Sequence, residues 1–264
     1  MIYAVPTYNQ NVTVRFSVQT RKPEMIRIKA RHPRMPYTYY TDRWNTVNGI
    51  KQFYIKIPRS PNKVIIDVYN ESKGNVQYDN SFRVIGDRFE LLPNNPILAA
   101  YNFQNATVNS FIEFTEDFSE KAGIISAQNS IYVSPDGRFK VNYVDEIRND
   151  DGKILTTPAR VNGKTGIIQI AAKYFRNYTV PGRKGTMYHE FSHLWRNVNP
   201  SDEIEADKNM LMLYLGTGNP TIDAYNVWFK IFNNAPSDGN VKRYIELDKF
   251  IKNFHSEMAT KLNS

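Results

Sequence analysis

The chain contains no cysteine. That excludes disulfides, thiol catalysis and thiolate metal sites, so any transition metal must be held by imidazole and carboxylate. Histidine is scarce, four in 264 residues, which makes the placement of each one informative. No apolar run approaches the ~20 residues that a membrane helix needs; the longest are pieces such as Ile167–Ala172, so membrane insertion is not expected. The opening residues, Met1–Val12, show no basic segment followed by an apolar one. The expectation is a protein without a Sec signal, cytoplasmic or virion-associated.

Positive charge is in excess. Lys and Arg number 34 against 26 Asp and Glu, a net charge of +8, with a pI near 9.4. A solvated surface accounts for such a balance; attraction to nucleic acid, an anionic envelope or an acidic partner is the sharper alternative. The densest basic run, Arg15 to Arg43, interleaves Tyr37, Tyr39 and Tyr40. The mixture suits nucleic acid, but no recognisable binding motif accompanies it. With 41% hydrophobic and 23% charged residues, the composition is that of a globular protein of one large or two modest domains.

The first 95 residues read as strands. Val12, Val14, Phe16 and Val18 alternate with polar neighbours, and Ile26/Ile28, Phe53/Ile55/Ile57 and Val64/Ile66/Val68 repeat the period of two. Turn chemistry separates them at Lys22-Pro23, Asn48-Gly49, Ser60-Pro61-Asn62 and Lys73-Gly74. The pattern predicts a β-sandwich-like docking or binding module over 1–95, a surface for a protein assembly partner. Pro93-Asn94-Asn95-Pro96 is the expected linker.

From residue 96 to 264 the periodicity changes. Phe111, Phe114, Phe118 and Ala122 follow helical spacing, with Asn109 or Ser110 as cap. Ile131–Val133 and Phe139–Val144 flank Pro135-Asp136-Gly137 as a hairpin, and Ile167–Ala171 reads as a further strand. Helices are expected over Gly185–Val198 and Glu203–Leu215, followed by two more. The fold class is therefore α+β.

The chemistry concentrates in His189-Glu190-Phe191-Ser192-His193. On a helix, positions i and i+4 share a face, so two imidazoles can bind one ion with Glu190 beside them. Downstream, Glu203 and Asp207 also stand four apart, after the break Asn197-Val198-Asn199-Pro200, where Asn199 is the expected N-cap and Pro200 the first helical residue. If the two helices form a hairpin about residue 198, His193 is level with Glu203 and His189 with Asp207. Glu203 then completes a His/His/Glu zinc shell, one ion per chain, and Asp207 accepts the free ring N–H of His189.

The HEFSH and EIEAD segments resemble a zincin metallopeptidase of the gluzincin type. EIEADKNMLMLYLGTGNPTIDA is similar to the glutamate helix of the CAAX-processing and heat-shock zinc endopeptidases, and the pair also resembles ImmA/IrrE-like peptidases. The likeness covers about 40 residues, Gly185 to Ala224. Asn199 stands where metzincins carry a third histidine, and Arg196 replaces that group's glycine. The resemblance implies a zincin-like mixed α/β metallopeptidase domain that cleaves polypeptide, with Glu190 as general base. It implies an edge strand, Ile168, Gln169, Ile170 and Ala171, that holds substrate extended. Tyr214, Tyr225 and His255 are candidates for the oxyanion donor. The alternative function is a virion or tail-type structural or interaction protein that keeps a metal-bound fold with little turnover.

Overall fold

A strand that buries one face alternates apolar and polar side chains, and β2 (Val12–Arg31) does so over 20 residues. Val14, Val18, Ile26, Ile28 and Ala30 are fully buried. This strand organises the first part of the chain. The computed structural model describes residues 1–73, 79–94, 105–128 and 130–262. It divides into two compact units, Met1–Pro96 with Gly218–Pro220, and Ile97–Thr217 with Thr221–Ser264. Gly74 of one expected turn, and Asn95 and Pro96 of the expected linker, lie outside the described residues.

In the first unit β2 joins β1 (Ile2–Pro6), β3 (Tyr39–Ile57), β4 (Lys63–Asn70) and β5 (Phe82–Pro93) in one antiparallel sheet. One edge of β2 pairs with β3 along its length. The other edge carries β5 beside Val12–Thr20 and β4 beside Ile26–Arg31. The expected sandwich is thus a single hydrogen-bonded sheet in which β2 serves both halves. Two expected turns are not turns. Lys22-Pro23 and Asn48-Gly49 lie inside β2 and β3, facing the first of two places where their register slips, between Thr20 and Glu24. Proline has no N–H to give a ladder, and Gly49 takes φ +77°; a bulge accommodates both and the strands run on. Ser60-Pro61-Asn62 does separate β3 from β4.

Several outward arginines of this sheet meet acids. Arg15 pairs with Glu90. Arg27 pairs with Asp42 and Glu71, both at 2.8 Å, and Arg31 with Asp67 at 2.9 Å.

The second unit mixes helix and strand. Its sheet has the order β6-β7-β9-β8, from β6 (Ser130–Val133), β7 (Lys140–Val144), β8 (Ala159–Val161) and β9 (Ile168–Ala171). The β6–β7 hairpin forms as expected, and β7 runs parallel to β9. Around it are α1 (Ala106–Lys121), the single turn α2 (Ala172–Phe175), α3 (Val180–Ser192), α4 (Glu203–Gly216), α5 (Thr221–Asn234) and α6 (Asp238–Leu262). One apolar core runs from Phe111 and Phe118 through Tyr143, Ile170 and Tyr188 to Trp228 and Leu247. No helix among the described residues is long and apolar enough to cross a membrane.

The helix boundaries differ from expectation for local reasons. Asn105, not Asn109 or Ser110, caps α1 by accepting from the Thr107 and Val108 amides. Asp202, not Asn199, caps α4 through the Ile204 and Glu205 amides. α3 begins five residues before Gly185, with Thr179 capping Gly182 and Pro181 in the first turn. Its glycines mark close packing rather than an end. A Cβ on Gly185 would lie 2.7 Å from the Trp228 ring, and one on Gly182 would meet Val227.

Gly185→Ala is expected to destabilise the fold by about 1–3 kcal/mol, the usual cost of overpacking, read as a lowered urea midpoint. An unchanged midpoint would mean that α3 and α5 do not depend on this approach.

Candidate metal centre

α3 carries the first half of the site and is anchored from beneath. Arg183, fully buried, donates to the carbonyls of Ser119 at 2.9 Å, Arg176 at 3.0 Å and Phe175 at 3.1 Å. Burial pushes this guanidinium down to about 10. Phe191, inside the HEFSH segment, stacks on Phe111 with ring centroids 4.1 Å apart. With that side of the helix committed to the core, His189 and His193 are left facing the other way. After His193 the chain leaves the helix, and Arg196 turns it at φ 59°, the left-handed conformation that glycine adopts most easily.

The turn returns the chain so that α4 lies against α3. His193 Nδ1 lies 2.8 Å from the Pro200 carbonyl oxygen. A carbonyl only accepts, so the proton is on Nδ1 and the Nε2 lone pair faces the site. His189 Nδ1 lies 2.9 Å from Asp207 Oδ1, off the ideal line of the N–H bond and with no other partner among the described residues. The carboxylate therefore holds the ring by charge against an N–H, and Nε2 again points inward. His193 Nε2 is 3.1 Å from His189 Nε2. Glu203 reaches His189 Nε2 at 3.3 Å and His193 Nε2 at 3.8 Å. His189, His193 and Glu203 thus form a group that could hold a metal ion. Bonds of about 2.0–2.1 Å in a tetrahedral shell place ligand atoms about 3.3 Å apart, close to the spacing found.

Three electron-pair donors this close repel unless a positive charge lies among them. A proton on His189 supplies it here. Burial opposes that proton, but Asp207 and Glu203 hold it, and the imidazole rises to about 10. His193, lowered by burial and then by the charge on His189, stays neutral and accepts from its neighbour. Asp207 is buried, yet His189 and Arg243 bring it down to about 2. Glu203 is lowered first by its bond to His189. Glu190 goes the other way: burial lifts it to about 7, with His189 opposing.

These groups open onto a cavity of about 580 Å³ in the second unit, with Trp228, Ile231 and Phe232 on one wall and Ala159, Arg160 and Val161 on another. The second wall is β8, and this corrects an expectation. Ile168–Ala171 is β9, which lies between β7 and β8 with both edges paired. Within the sheet, the unpaired edge beside the cavity belongs to β8. The Asn162 amide donates to Ile167 and the Ala171 amide to Pro158. Antiparallel ladders alternate, so Ala159 and Val161 turn their N–H and C=O outward. Glu190 accepts a backbone hydrogen bond from Val161.

Tyr214, Tyr225 and His255 are not among the residues lining the cavity. Tyr214 is fully buried in the core. Tyr225 donates to Asp248 at 2.9 Å, and His255 Nε2 lies 3.0 Å from Thr221 Oγ1. Arg243 of α6 is at the site instead. It grips Asp207 through Nε at 2.7 Å and Nη2 at 3.0 Å, and Nη2 lies 3.1 Å from Glu203 Oε2. Nothing local marks this arginine among 34 basic residues, and β8 is too short to show a period. Scanned against protein-family models, curated proteins and solved structures, the chain matches none.

A divalent ion entering at pH 7 displaces the His189 proton, so about one proton per ion should be released. Calorimetry in two buffers of different ionisation enthalpy measures it; a heat independent of buffer would contradict the arrangement. The sign extends to stability. A raised imidazole stabilises the metal-free fold fully below pH 6.5, and the contribution fades as pH climbs through about 10. Metal affinity should rise over the same range.

Proposed function

We propose that the chain is a zinc-dependent endopeptidase of the zincin type. The observation that carries the reading is the spacing of His189 Nε2, His193 Nε2 and a Glu203 carboxylate oxygen, all within 4.8 Å of one another. Nitrogen and carboxylate donors without thiolate suit zinc, and three protein ligands leave a position open, as catalytic zinc sites do. A zinc ion bound there supplies Lewis-acid polarisation of a carbonyl and a water of lowered pKa.

The chain's own groups supply the rest. Glu190, held near 7 by burial, suits a base that takes a proton from the attacking water and returns it to the leaving amine as the C–N bond breaks. The outward amide and carbonyl of Ala159 and the outward carbonyl of Val161 suit an extended polypeptide, added as one more strand, while the Val161 amide is engaged by Glu190. Trp228, Ile231 and Phe232 offer its side chains an apolar wall. Asp207 and the Pro200 carbonyl hold the imidazoles in their tautomers.

A second reading, a metal-stabilised structural or interaction protein with little turnover, draws on one observation. None of Tyr214, Tyr225 and His255 lines the cavity, so the oxyanion donor expected among them is missing there.

The test is cleavage of an unfolded protein substrate. Wild type is expected to cut it, and Glu190→Gln to lose about 10²–10⁴-fold in rate, the range for a general acid–base group, with zinc content unchanged. Zinc binding without cleavage by wild type would favour the second reading.

A further inference from the structure

Glu203 is an unusual choice for a metal ligand in one respect. Its side chain is 48% exposed, whereas those of His189 and His193 are 13% and 10% exposed. A free glutamate on the first turn of a helix samples many rotamers, and ordering it costs entropy. Arg243 removes that freedom. The arginine is only 17% exposed, its guanidinium carbon sits 5.0 Å from the centroid of the Phe232 ring, and both Asp207 oxygens fix its fork. The same Nη2 then meets Glu203 Oε2, while Oε1 lies on the His193 side.

We propose that Arg243 is the positioning residue of the metal centre: it sets the exposed ligand Glu203 and the imidazole-orienting Asp207 with one guanidinium. The inference rests on reading the cluster as a metal site. Charge supports it. Glu203 and Asp207 bring two carboxylates to one place beside Glu190, and Arg243 touches both of the first two, so its positive charge and that of a divalent ion act on the same acids. The fork matters as well as the charge, because two carboxylates on successive turns of α4 are held at once. α6 thereby becomes part of the site, although it carries none of the three ligands.

The test is zinc affinity, measured by competition with a chromophoric chelator on the full chain. Arg243→Gln is expected to weaken binding by about 10–100-fold, the range for groups that orient metal ligands. Arg243→Lys should recover part of the loss, since it restores charge without the fork. In a Glu203→Ala background the Arg243→Gln effect should shrink, because one of the carboxylates it holds is gone. Unchanged or tighter binding by Arg243→Gln would overturn the proposal. Should thermal scans show that Arg243→Gln does not fold, Arg243→Lys decides: an intermediate loss supports the proposal, and wild-type affinity overturns it. A wild-type chain that binds no zinc removes the metal reading and this inference with it. Zinc-binding wild type with an unaffected arginine variant removes the inference alone.

Discussion

Three electron-pair donors, two imidazole nitrogens and a carboxylate oxygen, lie within 4.8 Å of one another, an arrangement that positive charge among them stabilises. The two imidazoles have their outer nitrogens tied to Asp207 and to the Pro200 carbonyl, so their inner nitrogens have nowhere else to turn. In the metal-free chain one proton on His189 satisfies all three. Asp207 and Glu203 hold that proton against burial. Much of the local architecture follows from gathering these groups from two helices at once.

The scaffold keeps both helices in place by contacts far from the chemistry. Glycines at 182 and 185 let α5 approach α3 closely enough for Trp228 to form a cavity wall. Arg183 ties the start of α3 to the carbonyls that end α1 and α2. The same helix places Phe191 in the core and Glu190 toward β8. The short turn through Arg196 and Pro200 serves twice, reversing the chain and lending a carbonyl to His193.

The cluster of His189, His193, Glu203 and Asp207 could be read from the amino-acid sequence because helical period fixes it. His189 with His193, and Glu203 with Asp207, are each four apart, and a single turn sets their register. The β alternation of the first unit was legible for the same reason. What escaped was set by pairing between distant segments. Lys22-Pro23 and Asn48-Gly49 carry turn chemistry but face each other across a ladder, where each excuses the other's irregularity. Gly185 looked like a helix start because its reason, the Trp228 ring, lies 43 positions away. The resemblance implies an open strand at Ile168–Ala171, yet that run lies between two paired neighbours, and its apolarity reflects burial there. Arg243 has no local signal at all; only the docking of α6 on α4 brings it to Glu203.

The zinc K-edge X-ray absorption spectrum of the wild-type chain loaded with one equivalent tests the central claim most directly. The account predicts scattering from two imidazoles and at least one carboxylate oxygen at about 2.0–2.2 Å. A spectrum without imidazole scattering, or one of zinc surrounded by water alone, would contradict it.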